Sequence, residues 1–145
     1  MTYKYDLRTP IYLQIMQILC YRIVRGDCKA GEKLPSWVEA GLEFEVNMNT
    51  IAKTYAVMAA MGLVVTRCGE GTFITEDKNR LRQLQEEMRE TMLSEFVNDM
   101  EHLGYCLDDI EKYFIDYIEQ VKGNRQRRIK DEAHVSRRDF PPVQE

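Results

Sequence analysis

Asn47, Asn49, Thr50 and Lys53 crowd the interval 47–53, and their side chains suit recognition of polar edges and anions rather than bond-making chemistry. An asparagine amide matches the donor–acceptor edge of adenine, a threonine meets a thymine methyl or a phosphate, and a lysine neutralises a phosphate. The same residues also make an ordinary helix start, with Asn47 as N-cap, and on spacing alone that plain reading is favoured. A second group, Arg67, Gly69 and Gly71, occupies a turn in which glycines let backbone approach a phosphate and arginine adds charge.

Other chemistries find less support. The chain has no Gly-x-Ser-x-Gly, phosphate loop, His-Glu-x-x-His or convincing acid/base pair, so no catalytic residue is assigned and no enzyme is expected. Asp99, His102 and Cys106 lie close in sequence, but Gly104 interrupts them, so no metal site and no cofactor are assigned. Cys20, Cys28, Cys68 and Cys106 form no Cys-x-x-Cys pair and read as reduced thiols. No apolar run approaches the roughly 18 residues of a membrane span, and the start Met1-Thr2-Tyr3-Lys4-Tyr5-Asp6 lacks a signal peptide's apolar core. A cytoplasmic location with no membrane partner is therefore expected. A formal net charge of -4 argues against coating nucleic acid through a whole-molecule positive field but leaves room for a local basic face.

The elements that must position these residues follow from caps and periodicity. Thr9-Pro10 signals a helix start, Ile11, Ile15, Ile18, Leu19 and Ile23 repeat at helical spacing, and Gly26 supplies a left-handed stop. Residues 29–35 read as a turn-rich connector, after which Ser36 caps a short helix through Trp37, Ala40, Gly41 and Phe44. Gly41, unfavourable there by roughly 1 kcal/mol, implies a close backbone approach. Asn47 caps a third helix with Ile51, Tyr55 and Met58 on one face, ending near Gly62. Residues 63–66 and 72–74 then form a hairpin. Trp37, Phe44, Tyr55 and Phe73 are expected in the core, and Tyr12 and Gln14 are open to either a structural or a contact role.

From Asp77 a stripe of Leu81, Leu84, Met88, Met92, Phe96 and Met100 marks a long amphipathic helix closed by Gly104. A further helix carries Leu107, Ile110, Phe114, Tyr117, Ile118 and Val121 up to Gly123. Two helices alone bury little surface, so Leu84, Met88, Met92, Phe96, Met100, Ile110, Phe114, Tyr117 and Ile118 are expected to form a homodimer interface. Residues 123–145 read as a polar, loose tail, whose basic run Arg125, Arg127, Arg128 and Lys130 is balanced by Asp131 and Glu132. The expected fold is mainly α with a small β-hairpin. A winged helix-turn-helix over 1–76 is followed by a two-helix dimerisation segment over 77–122.

That order of elements reverses the plain reading of Asn47–Lys53, because the third helix of such a motif is its reader. Residues 10–74 further resemble the N-terminal domain of the GntR family. The resemblance rests on Pro10-Ile11-Tyr12-Leu13-Gln14-Ile15, Gly31-Glu32-Lys33-Leu34-Pro35-Ser36, Val46 to Tyr55, Gly62-Leu63 and Gly69-Glu70-Gly71-Thr72-Phe73. It implies a transcription regulator of double-stranded operator DNA, with Ser36, Asn47, Asn49, Thr50, Lys53, Thr54, Arg67, Gly69, Gly71 and Thr72 as candidate contacts. The short C-terminal part, above all residues 96–105, is similar to the YtrA-like group, which implies a dimeric repressor of a palindromic operator, commonly near transporter genes, with no large effector domain. The effector, if one exists, is not specified.

Departures fall on the same face: Val38 stands where the family has arginine, Ala40 and Gly41 where it has Leu-Ala, Lys53 where it has a helical arginine, and Cys68 and Glu70 where basic residues are frequent. Fewer phosphate contacts imply weaker binding and a shallower salt dependence. They also motivate an alternative reading, a winged-helix module that binds a protein.

Overall fold

Pro10, whose fixed φ suits a helix start, leads into α1 (Ile11–Val24), with its carbonyl accepting from the Leu13 and Gln14 amides. Thr9 does not cap this helix. Gln14 instead pins the preceding segment, donating from Nε2 to the Asp6 and Thr9 carbonyls while its Oε1 accepts from the Asp6 amide. That pattern gives Gln14 a structural role. The computed structural model describes residues 3–138.

Gly26, at φ +84°, ends α1 where the sequence places the stop. The connector that follows is more ordered than its glycine and proline punctuation suggests. Lys33 bridges Phe73, Leu34 N–H donates to the Thr72 carbonyl and Ile74 N–H to the Glu32 carbonyl, so this segment is held along the free edge of the hairpin by an isolated bridge. Ser36 then caps α2 (Trp37–Phe44) through a capping box, its Oγ accepting from the Glu39 amide and the Glu39 carboxylate accepting from the Ser36 amide.

A tight turn joins α2 to α3 (Met48–Ala60), with Glu45 in the left-handed region at φ 56° and Val46 N–H donating to the Gly41 carbonyl. Gly41 faces that turn: a Cβ there would lie 2.9 Å from the Val46 carbonyl oxygen, a backbone atom with little freedom to move. The expected close approach is therefore made to the turn itself. Gly41→Ala is expected to cost about 1–2 kcal/mol net, strain outweighing the gain in helix propensity. Urea unfolding with a lower midpoint and an unchanged slope checks this, and a stabilised variant would show that the turn yields.

β1 (Val64–Arg67) and β2 (Gly71–Ile74) pair antiparallel with Arg67 opposite Gly71, and Gly69 takes φ +75° in the turn between them. The core beneath is built from Ile15, Leu19 and Ile23 of α1, Phe44 of α2, Ile51, Tyr55 and Met58 of α3, and Leu63, Val64 and Ile74 beside and within the hairpin. Trp37 departs from expectation: it is 48% exposed at the start of α2, where no apolar layer covers it. Tyr55 and Phe44 are buried as expected, while Phe73 is half-buried.

α4 (Lys78–His102) starts at Asp77, whose Oδ1 accepts from the Asn79 and Arg80 amides. Leu84 of this helix is only 3% exposed and belongs to the N-terminal core, with Leu81 and Met88 packed against the same cluster. Arg80 ties the helix to the end of α3 by donating from Nε to the Met61 carbonyl. The chain accordingly divides into compact units between Glu90 and Thr91 rather than at 76/77. Leu84 thus leaves the expected dimer interface, because the first turns of α4 complete the winged-helix core, while Met88 is half-buried against the edge of that cluster.

The second unit contains the end of α4 and α5 (Leu107–Arg138), joined at Gly104 with φ +93°. α5 does not stop at Gly123. One glycine weakens a helix by roughly 1 kcal/mol, and the Gln, Arg and Lys that follow are good helix formers. The loose-tail expectation is corrected over 123–138; residues 139–145 lie outside the described residues. Phe96 and Phe114 bring their rings to 5.6 Å, and Tyr105 and Tyr113 theirs to 5.3 Å. Among the described residues no helix is long and apolar enough to cross a membrane.

Candidate nucleic-acid interface

The start of α3 gathers most of the expected contact residues. Asn47 Oδ1 accepts from the Asn49 amide at 2.8 Å, which fixes the first turn and leaves the Asn47 NH2 as its donor toward a ligand. Asn49 and Lys53, one helical turn apart, are both exposed, and Thr50 is half-buried. Lys53 rests its ammonium 4.1 Å from the centre of the Tyr12 ring, a cation–π contact that anchors the side chain at the α1–α3 seam. Tyr12 therefore positions a charge.

Thr54 does not belong to this surface. It is fully buried, and its Oγ1 donates within the fold, 2.8 Å from the Thr50 carbonyl and 3.4 Å from that of Tyr12. Its position between Ile51 and Met58 puts it on the helix's inner face. Thr72 is likewise buried, at 8% exposure, with its carbonyl taken by the Leu34 amide. Both residues support the site instead of touching a ligand. Ser36 is exposed, and while its Oγ serves the α2 cap as acceptor, its hydroxyl proton remains a donor.

On the hairpin, Arg67 is exposed with its guanidinium 4.6 Å over the Phe73 ring, and Gly69 stands in open space. Gly71 is set by its own backbone. It takes φ +123°, where a side chain is strained, and the stem of Lys33 lies across it, with Cε 2.8 Å from where a Cβ would stand. Lys33 is thus a further cation at this face, and the bridge to Phe73 holds it there. Its signal was available as a polar residue beside the apolar Leu34, hidden by the flanking glycine and proline.

Between the starts of α2 and α3 and the wing runs a groove of about 520 Å³, lined among others by Ser36, Trp37, Val38, Met48, Arg67 and Gly69. Buried Tyr55 fastens one wall: its hydroxyl donates to the Pro35 carbonyl at 2.9 Å, just before the α2 cap. Burial, reinforced by Glu43 and Glu39, pushes that hydroxyl up to about 12, so it stays a donor at neutral pH. Arg22 pairs with Glu43 at 2.8 Å and lies over the Phe44 ring, bracing α1 against α2. Burial also pushes the Cys20 thiol up to about 11, against a lowering influence from Arg80, and leaves it protonated and unreactive.

In the second unit, Phe96, Met100, Tyr113, Phe114 and Tyr117 surround a cavity of about 550 Å³. Met92, Phe114 and Tyr117 are exposed, Phe96, Met100 and Ile118 half-buried, and Ile110 is already buried within the single chain. Ile110 therefore offers little surface to a second chain, and the open apolar face belongs to the others.

A capped reader helix on a helix-turn-helix, flanked by a hairpin that carries Arg67 and has Lys33 lying against it, defines a winged-helix protein of the DNA-binding class. A family model described as "Bacterial regulatory proteins, gntR family" matches residues 11–74. The chain is 38% identical over 107 residues to a Bacillus subtilis (strain 168) protein named as the uncharacterized HTH-type transcriptional regulator YhcF, covering 74% of this chain and 88% of that one. It is 31% identical over 119 residues to the HTH-type transcriptional repressor YtrA of the same organism, covering 81% and 92% respectively. A solved GntR family transcriptional regulator from Listeria monocytogenes superposes with a TM-score of 0.72 at 34% identity, covering 75% of this chain and 96% of that chain. The chain belongs to the GntR family of transcription regulators, in its YtrA-like group. Transcription regulators of this family are not a class of enzyme, and their winged helix implies DNA binding.

Proposed function

We propose that this regulator is a homodimeric, cytoplasmic repressor that binds a palindromic operator in double-stranded DNA. Asn47, Asn49 and Thr50 read base edges, Ser36, Lys53, Arg67 and Lys33 meet phosphates, and Gly69 lets the wing lie close to the backbone. Met92, Phe96, Met100, Phe114, Tyr117 and Ile118 of two chains pair, and their two-fold symmetry matches two half-sites about one DNA turn apart. The observation that carries this reading is the exposure of Asn49 and Lys53 on one side of a capped helix, beside the Lys33–Arg67 wing. The name of the Bacillus subtilis relative as a repressor supports the direction of control.

Binding to DNA from around its own gene, measured at several salt concentrations, tests the reading. Lys53→Ala is expected to weaken binding roughly tenfold and reduce the log–log salt slope by about 0.9, the share of one phosphate contact. Unchanged binding removes α3 from the contact face. The small number of cations also implies a shallow overall slope, and a steep slope with nanomolar affinity would overturn that expectation.

A further inference from the structure

Trp37, Val38 and Met48 are 48%, 54% and 44% exposed, and all three line the groove between the starts of α2 and α3 and the wing. Single exposed apolar residues are unremarkable, but three that share one groove form a surface with a use. The rest of its lining is informative. Lys33 and Arg67 contribute positive charge, Ser36 a hydroxyl, and Glu70 is the acidic side chain present. Val38 and Met48 lie in the first turns of their helices, where backbone N–H groups point outward and favour anions.

An apolar side built by Trp37, Val38 and Met48, facing a wing that carries Lys33 and Arg67, matches a particular region of duplex DNA. The major groove presents the thymine C5-methyl as its one apolar group, flanked by phosphate rails, and aliphatic side chains recognise it by contact. A peptide would have its apolar side chains matched, but the lysine and arginine on the wing favour a polyanion. Resting on the operator-binding reading above, we propose that Val38 and Met48 determine sequence preference by packing against thymine methyl groups in each half-site. Trp37, which lines the same groove, is covered when DNA is bound. Where arginine in this position would seek guanine, the valine of this chain selects A·T pairs.

The test uses the whole 145-residue chain and the DNA it binds, with thymine replaced by uracil, which removes the methyl and keeps every Watson–Crick bond. Each recognised methyl is expected to contribute about three- to fourfold in affinity, the worth of one buried carbon. Replacing all thymines should therefore weaken binding about tenfold or more, and single replacements should map the loss to one or two positions per half-site. Val38→Ala combined with Met48→Ala should abolish the thymine–uracil difference at those positions, which separates methyl contact from any change in DNA shape. Both residues are exposed, so circular dichroism should show an unchanged fold. The chain's one tryptophan gives a second reading: its emission should shift on binding the thymine-containing DNA.

Equal affinity for thymine and uracil DNA, or a difference that survives the double substitution, overturns this proposal while leaving operator binding intact. Failure to bind any DNA, with Trp37 emission responding only to a protein, sinks both readings.

Discussion

Leu84→Ala is expected to destabilise the N-terminal unit by about 2–5 kcal/mol while leaving the proposed dimer assembled. Leu84 is 3% exposed and shares a cluster with Ile15, Leu19, Phe44 and Ile51, so truncation leaves a cavity among residues already fixed by three helices and a hairpin. The loss is a large fraction of an ordinary domain's stability. Because α4 begins at Asp77 and Arg80 holds its first turn to the Met61 carbonyl, the backbone has little room to collapse into the void. Thermal unfolding followed by circular dichroism, with light scattering for mass, distinguishes two roles. A lower midpoint at unchanged mass marks a core residue, whereas an unchanged midpoint with dissociation would restore Leu84 to the interface.

The case of Leu84 shows what periodicity can convey. Leu81, Leu84, Met88, Met92, Phe96 and Met100 form one unbroken stripe, which correctly announces an amphipathic helix. A stripe identifies a buried face but not the partner that buries it, and here the partner changes partway along the helix. Caps are more local and were read more reliably: Ser36 and Asn47 close their helices by hydrogen bonds within three residues, and Gly26, Gly62 and Gly104 all adopt the positive φ that ends a helix. Gly123 lacks any such supporting signal, and α5 passes through it.

Within the candidate interface, exposure was the least legible property. Thr54 shares the spacing of Ile51 and Met58, so its burial could have been read from the same helical face; its place in a family motif pointed the other way. Trp37 lies among apolar neighbours at helical spacing, which predicts burial, yet it is exposed at the start of a short helix. Lys33 was missed because the Lys33–Phe73 bridge depends on a strand pairing across some forty residues of chain, beyond the reach of local pattern. Gly71 takes φ +123° in the strand after the turn, a backbone demand that a glycine in a motif does not by itself announce.

Phe114→Asp is expected to produce the largest functional loss. The aromatic ring is 42% exposed beside Phe96, and with Met100 and Tyr117 it borders an apolar cavity that a second chain is proposed to cover. A carboxylate placed there must lose water on association without gaining a partner, a penalty of several kcal/mol that appears in both copies of a symmetric interface. The variant should run as a 17.1 kDa monomer in light scattering, with the N-terminal unit's unfolding unchanged. Each reader helix would then meet its half-site independently. The loss of linked binding should lower operator affinity by about 100-fold or more, since tethering two sites commonly multiplies affinity by 10²–10⁴. Half-site DNA should bind the variant and the parent about equally, because no DNA-facing residue has changed. A Phe114→Asp protein that remains dimeric places the interface elsewhere, and one that dissociates yet keeps full operator affinity shows that a single winged helix suffices.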